Sequence, residues 1–396
     1  MTLKIDKLFF ICLSFMGIVL GSSQAIVNLG LDNVVKYVSY FILISCILLK
    51  LIVNRKNIVI GRIFYFILIS FLFTIGICLQ DLPISKRIYL SFSMLIISSL
   101  ATLPITLFST VKEFRRIAYY LLYAVLLSTF LGLVFRVQML TIAVEGVGSS
   151  FGFNGGMLHK NFYAITVLSS YILLFISRKY GVKHDIDNYV LWFELFLIFI
   201  SNSRTVYLIL IVFYCINNWK LLLRINKKQR FLLIFVAVAT LLSLVIIFFE
   251  YITTNSGSYS VRVQGIINFF NYYHSDYFHL FFGDAKLAFG DSTHDYGYNI
   301  RSVTGWNGTV EMPLLSVMIK NGYVGLIGYA IIIASFITSI KRIKNIDLKT
   351  IGLLILIPLL MSATVENYIV NISFVFMPVC FCTLNSLKNL KLIESK

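Results

Sequence analysis

The sequence predicts an all-α, polytopic integral membrane protein of about twelve transmembrane helices with one large extracytoplasmic loop. Three observations carry that expectation. Hydrophobic side chains make up 59% of the chain and the mean hydropathy is +0.87, against roughly 45–50% apolar residues in soluble domains. Apolar runs near the length needed to cross the hydrocarbon, about 20 residues, recur along almost the whole chain. One long polar segment, from Glu250 to about Gly325, interrupts them.

In order, the runs fall at about 8–27, 34–53, 58–79, 88–108, 117–137, 161–177, 189–201, 205–219, 231–249, 314–340, 350–366 and 368–386. The first follows Lys4 and Lys7 and ends in Gly21-Ser22-Ser23-Gln24-Ala25, which also fits a signal-peptide cleavage region; cleavage there leaves the orientation of the rest unchanged. Orientation follows from the cations. With both termini inside, the basic clusters Lys112/Arg115/Arg116, Lys220 to Arg230 and Lys341 to Lys349 are cytoplasmic, and Arg62 lies near the inner end of the third span. The outer segments then balance acids against cations, so the net charge of +17 reports topology. No basic cluster alternates with solvent-facing aromatics, which excludes nucleic acid as a partner. The six cysteines fall inside apolar runs and read as small buried hydrophobes. With no repeat or linker, residues 1–396 read as a single membrane domain, and 250–312 as the large outer loop between spans nine and ten.

Spans seven and eight strain this scheme. Tyr189 to Trp219 would make about 46 Å of helix at 1.5 Å per residue, too long for one crossing and short of the roughly 60 Å that two require. Both flanks are basic and share a side, so the chain must turn back. Ser201-Asn202-Ser203 is the natural turn, because such side chains compete for backbone hydrogen bonds and cap the next helix. The turn therefore lies below the outer surface and takes Arg204 with it. An arginine at that depth faces protein or a wet cavity; the plainer reading is an anchor snorkelling outward.

The loop Gln138 to Lys160 is dense in glycine, which suits a mobile or tightly turning segment, and His159 and Lys160 cap or solvate the start of span six or reach a phosphate. In the large loop, Ser260 to Tyr273 alternates polar and aromatic residues as an interfacial helix does, with Arg262 at its start as a phosphate ligand or headgroup contact. Asp291, His294, Asp295, Arg301 and Trp306 follow, and Glu311 precedes Pro313 at the start of span ten. His274/Asp276/His279 and Asp291/His294/Asp295 have metal-ligand chemistry, but such residues are ordinary in a polar loop, and neither a metal nor a cofactor is assigned. Tyr272, Tyr273, Tyr277 and Trp306 fit sugar stacking or an interfacial belt.

Four stretches resemble the O-antigen ligase and oligosaccharide repeat-unit polymerase superfamily of bacterial envelope enzymes: FGFNGGMLHKNFYAI before span six, the turn SNSRT, SVRVQGIINFF followed by LFFGDAKLAFG, and VEMPLLSVMIKNGYVGLIGY. The resemblance implies glycosyl transfer at the outer face of the bacterial cytoplasmic membrane, from a polyprenyl-diphosphate-linked oligosaccharide to an acceptor sugar hydroxyl. It puts Arg204 and Arg262 on the diphosphate and Glu311 where ligase members carry the proposed base, a histidine; His294 is the reserve base. His159, Lys160, Asn161, Arg301 and Trp306 are the remaining candidate substrate contacts.

The chemistry is independently reasonable. Arginine supplies a permanent, forked charge to a departing diphosphate, and a partly desolvated carboxylate suits a base. The favoured function is a polymerase joining lipid-linked repeat units of a capsular or O-antigen-type polysaccharide. Its partners would be the polyprenyl-linked glycan, membrane lipid and a chain-length regulator protein. A ligase delivering finished glycan to a terminal acceptor is the alternative. A flippase or transporter is the alternative of another class, disfavoured because transporters place their charges near the midplane in paired halves.

Overall fold

The computed structural model describes residues 7–53, 60–145, 148–219, 258–289, 303–305, 310 and 312–392. Among these described residues the regular elements are helices apart from one hairpin and short bridges, and seven of the helices are long and apolar enough to cross a membrane.

The chain opens with α1 (Lys7–Leu20), a turn at Gly21-Ser22-Ser23, and α2 (Gln24–Asn28). One continuous first span was the expectation. The helix breaks because Ser23 bridges to Met157 and the Gln24 amide donates to the Gly156 carbonyl at 2.8 Å, so the backbone is claimed by the glycine-rich loop. The long helices α3 (Asp32–Val53), α4 (Ile60–Leu79), α5 (Ile84–Thr102) and α6 (Lys112–Val134) follow. α1 lies between α3 and α6, while α4 packs on α5.

Next comes the exception to an all-α chain. β1 (Leu140–Glu145) pairs antiparallel with β2 (Gly148–Phe153), from Leu140 opposite Phe153 to Glu145 opposite Gly148. Leu-Thr-Ile-Ala-Val favours an extended chain, and the small residues of β2 allow it to lie close against neighbouring backbone. The glycines of this loop thus serve a hairpin.

α7 (Lys160–Tyr180), with most of its residues buried, packs on α6 and on α8 (Ile186–Ser201), and α9 (Arg204–Asn217) returns from the turn. At 1.5 Å per residue α8 and α9 are about 24 and 21 Å long, both short of the roughly 30 Å hydrocarbon core, and the turn falls at Ser201–Ser203 as the spacing predicts. Glu194, fully buried in α8, meets Ser170 Oγ, which also reaches the Ala118 carbonyl at 2.7 Å. An acid in an apolar helix is thereby turned to protein and not outward.

Span nine (231–249) lies outside the described residues. Beyond it come α10 (Ser258–Tyr272), a helix over most of the stretch 260–273 read as helical, and the short α11 (Tyr277–Phe282). α12 (Pro313–Lys341) begins on its proline, as expected for a first-turn position, and α13 (Ile346–Val365) follows. The last predicted span, 368–386, is helical only as the buried α14 (Phe376–Ser386). Residues 366–375 form turns, one closed by Asn371 Oδ1 accepting from the Ser373 amide at 2.9 Å, because asparagine and serine offer the backbone local partners.

Phe15, Phe73, Phe114, Phe213 and Phe381 fill the interior, while Phe41, Phe64, Trp192 and Phe199 are 65–73% exposed. Large apolar groups facing outward around a helix bundle suit hydrocarbon and not water. All six cysteines are free; Cys12, Cys380 and Cys382 are buried as expected, whereas Cys78 and Cys215 lie on outward helix faces.

Candidate functional site

The turn between α8 and α9 is the centre of a polar network. Asn202 takes the left-handed conformation (φ 49°) that asparagine tolerates better than most residues, and its side-chain amide donates to the Phe151 carbonyl at 2.8 Å. The hairpin thus lies over the turn. Gly152 is needed there: a Cβ on it would stand 2.1 Å from the Ser201 carbonyl oxygen and 2.7 Å from Lys160 Cδ.

Ser203 stands at the N-cap of α9 but does not cap it with its side chain. Its hydroxyl donates instead to Asn161 Oδ1 at 2.9 Å, and Asn161 Nδ2 donates to Glu366 Oε1 at 3.3 Å. Ser203 and Glu366 are buried. Arg204 is the first residue of α9 and is exposed. An exposed guanidinium therefore stands at the positive end of a helix whose first amides have no side-chain cap.

Asn161 is held by the start of α7. His159 is the N-cap residue, and its Nδ1 accepts from the Asn161 amide at 3.2 Å. Lys160 is buried, and its amide donates to Thr141 Oγ1 at 3.2 Å. Glu366 lies one residue past the end of α13, and Asn367 reaches the other way, donating to the Val310 carbonyl at 3.2 Å and Ser316 Oγ at 3.4 Å. Two adjacent residues thus tie the α7 start to the backbone that leads into α12.

A second knot fixes the loop beside that segment. α12 is not helical at Gly322 (φ 59°, ψ −154°), and the Phe281 carbonyl sits 2.4 Å from where a Cβ would be. Gln80 at the end of α4 donates to the Phe282 carbonyl at 2.6 Å and accepts from the Ala285 amide at 2.5 Å, while Asn321 donates to the Phe73 carbonyl at 2.5 Å. Asp284 is buried, with Tyr273 Oη donating to it at 2.7 Å. The loop stretch LFFGD and the α12 stretch KNGY, far apart in sequence, are here one packed unit. Gly322→Ala is expected to cost about 1–3 kcal/mol, since that backbone region is essentially glycine's alone. The check is thermal unfolding in detergent, and an unchanged melting temperature would mean that the helix simply continues through residue 322.

Of the predicted site residues, Arg204, His159, Lys160 and Asn161 are described, and all four lie on the two segments joined by the Ser203–Asn161 hydrogen bond. Arg262 lies within α10, with only its backbone described. His294, Arg301, Trp306 and Glu311 lie outside the described residues, although Val310 and Met312, on either side of Glu311, are described. Tyr273 is 3% exposed and committed to Asp284, so it neither stacks on sugar nor joins an interfacial belt; Tyr272 and Tyr277 remain exposed. His279 Nδ1 lies 2.6 Å from Asp276 Oδ2, and this hydrogen bond holds the exposed Asp276 carboxyl below its ordinary value. Among the described residues no group of three or more His, Cys, Asp or Glu side chains gathers as metal ligands would.

The sequence reading missed Glu366 and Asn367. The signal was present: an acid closing one apolar run and an amide before the next, which reads as a short loop until Asn161 and Val310 appear beside it.

The fold defines a polytopic helical membrane protein, with a polar network at one end of its bundle. No protein-family model and no curated protein matches the chain.

Proposed function

We propose that the chain is a polysaccharide repeat-unit polymerase of the cytoplasmic membrane, with both termini in the cytoplasm and the network of Arg204, Asn161 and Glu366 facing outward. It transfers glycan from a polyprenyl-diphosphate-linked donor to a lipid-linked acceptor glycan. The observation that carries the reading is the diversion of Ser203. A serine that would ordinarily cap its own helix is bound to Asn161, and Arg204 adds its charge to the same helix end. A guanidinium beside the first amides of a helix combines fixed charge with backbone donors, which together suit an anion. A diphosphate matches both.

In the reaction, the acceptor hydroxyl oxygen bonds to the donor's anomeric carbon as the bond from that carbon to the diphosphate oxygen breaks. The electron pair leaves with the diphosphate, where Arg204, joined by Arg262, stabilises the growing charge. Glu311 takes the hydroxyl proton, with His294 as the reserve base. Glu366 acts through Asn161 to position the turn. Arg301 and Trp306 contact the glycan.

The test is the glycan phenotype of a strain lacking the protein, read by electrophoresis and mass spectrometry of lipid-linked and surface glycan. Single repeat units on the lipid carrier or surface anchor are the expected result. Full-length but unattached polymer would instead make the protein a ligase, and repeat units trapped at the cytoplasmic face would make it a flippase.

A further inference from the structure

The bundle end opposite the α8–α9 turn, where α1, α6 and α8 all begin, holds a cavity of about 500 Å³. Its polar side is built by α6. Arg115 is bound to the buried Asp187 of α8, with Nε 3.0 Å from both carboxylate oxygens, and Tyr119 Oη donates to the same carboxylate at 2.8 Å. That carboxylate fixes Arg115 and Tyr119 as one wall. Arg116 lines the cavity next to it and is exposed, with Tyr120 one turn and Tyr123 two turns further along.

The remaining walls are apolar. Phe9 of α1 is 47% exposed, Ile186 of α8 58% and Tyr123 51%, so the cavity joins the apolar perimeter of the bundle. A soluble anion would gain from the arginines and nothing from Phe9 or Ile186. A molecule with a charged head and an acyl chain uses both.

We infer that this cavity binds an anionic glycerophospholipid, its phosphodiester against Arg116 and the hydroxyls of Tyr120 and Tyr123 and an acyl chain along Phe9 and Ile186. Its size lies within the ordinary range of ligand sites, about 300–1,000 Å³. Basic pockets between transmembrane helices recognise acidic headgroups in this way. With the basic helix ends facing the cytoplasm, the lipid comes from the inner leaflet.

The experiment is native mass spectrometry of the full chain released from detergent containing phosphatidylglycerol, phosphatidylcholine or inorganic phosphate. Wild-type protein is expected to retain phosphatidylglycerol over phosphatidylcholine, Arg116→Gln to weaken that retention by about fivefold, and Arg116→Lys to keep it. Matching melting temperatures show that the variants are folded; Tyr123→Ala, which removes both hydroxyl and ring, replaces Arg116→Gln if the latter is not. Equal retention of the two lipids would overturn the proposal. So would a preference untouched by either variant, which would put the lipid elsewhere, or displacement of the lipid by inorganic phosphate, which would make the site one for a soluble anion.

Discussion

Arg204→Ala is expected to lower polymer synthesis by about a hundred- to a thousandfold, the loss associated with removing one preorganised donor from a developing negative charge. The protein should still insert and fold. Arg204 is an exposed first residue of α9, and two hydrogen bonds from its neighbours hold the turn beside it: Asn202 binds Phe151, and Ser203 binds Asn161. Alanine removes the charge and leaves both of these bonds in place. Arg204→Lys restores charge but not the forked donor, so it should recover only part of the activity. The measurement is chain-length distribution of the surface glycan at matched membrane levels of protein. Wild-type lengths in Arg204→Ala would remove this residue from the reaction and leave it as an interfacial anchor.

The turn at Ser201–Ser203 was legible because helix length is arithmetic: two runs too short to cross, with basic residues on both flanks, require the chain to turn back. Most apolar runs became helices for the same reason, since in hydrocarbon the backbone must satisfy itself. The hairpin was harder to see. Leu140 to Phe153 mixes glycine, serine and β-branched residues, and only pairing over the α8–α9 turn separates a hairpin from an irregular loop. The break after Gly21 and the late start of α14 depend on partners far away in the chain: Gly156 for the first and Asn161 and Val310 beside the turns preceding the second. Local pattern carries no record of such partners. The packing of LFFGD against Gly322 had a partial signal, a glycine in each stretch, but only the fold shows that one accommodates the other's backbone.

Glu366 is where that limit matters for function, and Glu366→Ala is expected to reduce polymer synthesis by about a hundredfold. Asn161 Nδ2 donates to Glu366 while Asn161 Oδ1 accepts from Ser203, so the carboxylate sets the orientation of the amide that orients the turn. Removing it forfeits a hydrogen bond to a charged group, about 1.5–3 kcal/mol, and frees the asparagine to rotate. Loss of position alone can cost a factor of that size when reacting groups shift by about 1 Å. The conservative variant separates positioning from chemistry. Glu366→Gln keeps an oxygen that accepts from Asn161 without the negative charge, so a positioning residue recovers most of its activity in that variant. If Glu366→Gln is as inactive as Glu366→Ala while both proteins melt like wild type, the charge itself is required. Glu366, and not Glu311, would then be the group that takes the acceptor's proton. A pH–rate profile checks the assignment independently: a positioning role leaves the limb belonging to the base in place in Glu366→Gln, whereas loss of the base abolishes it.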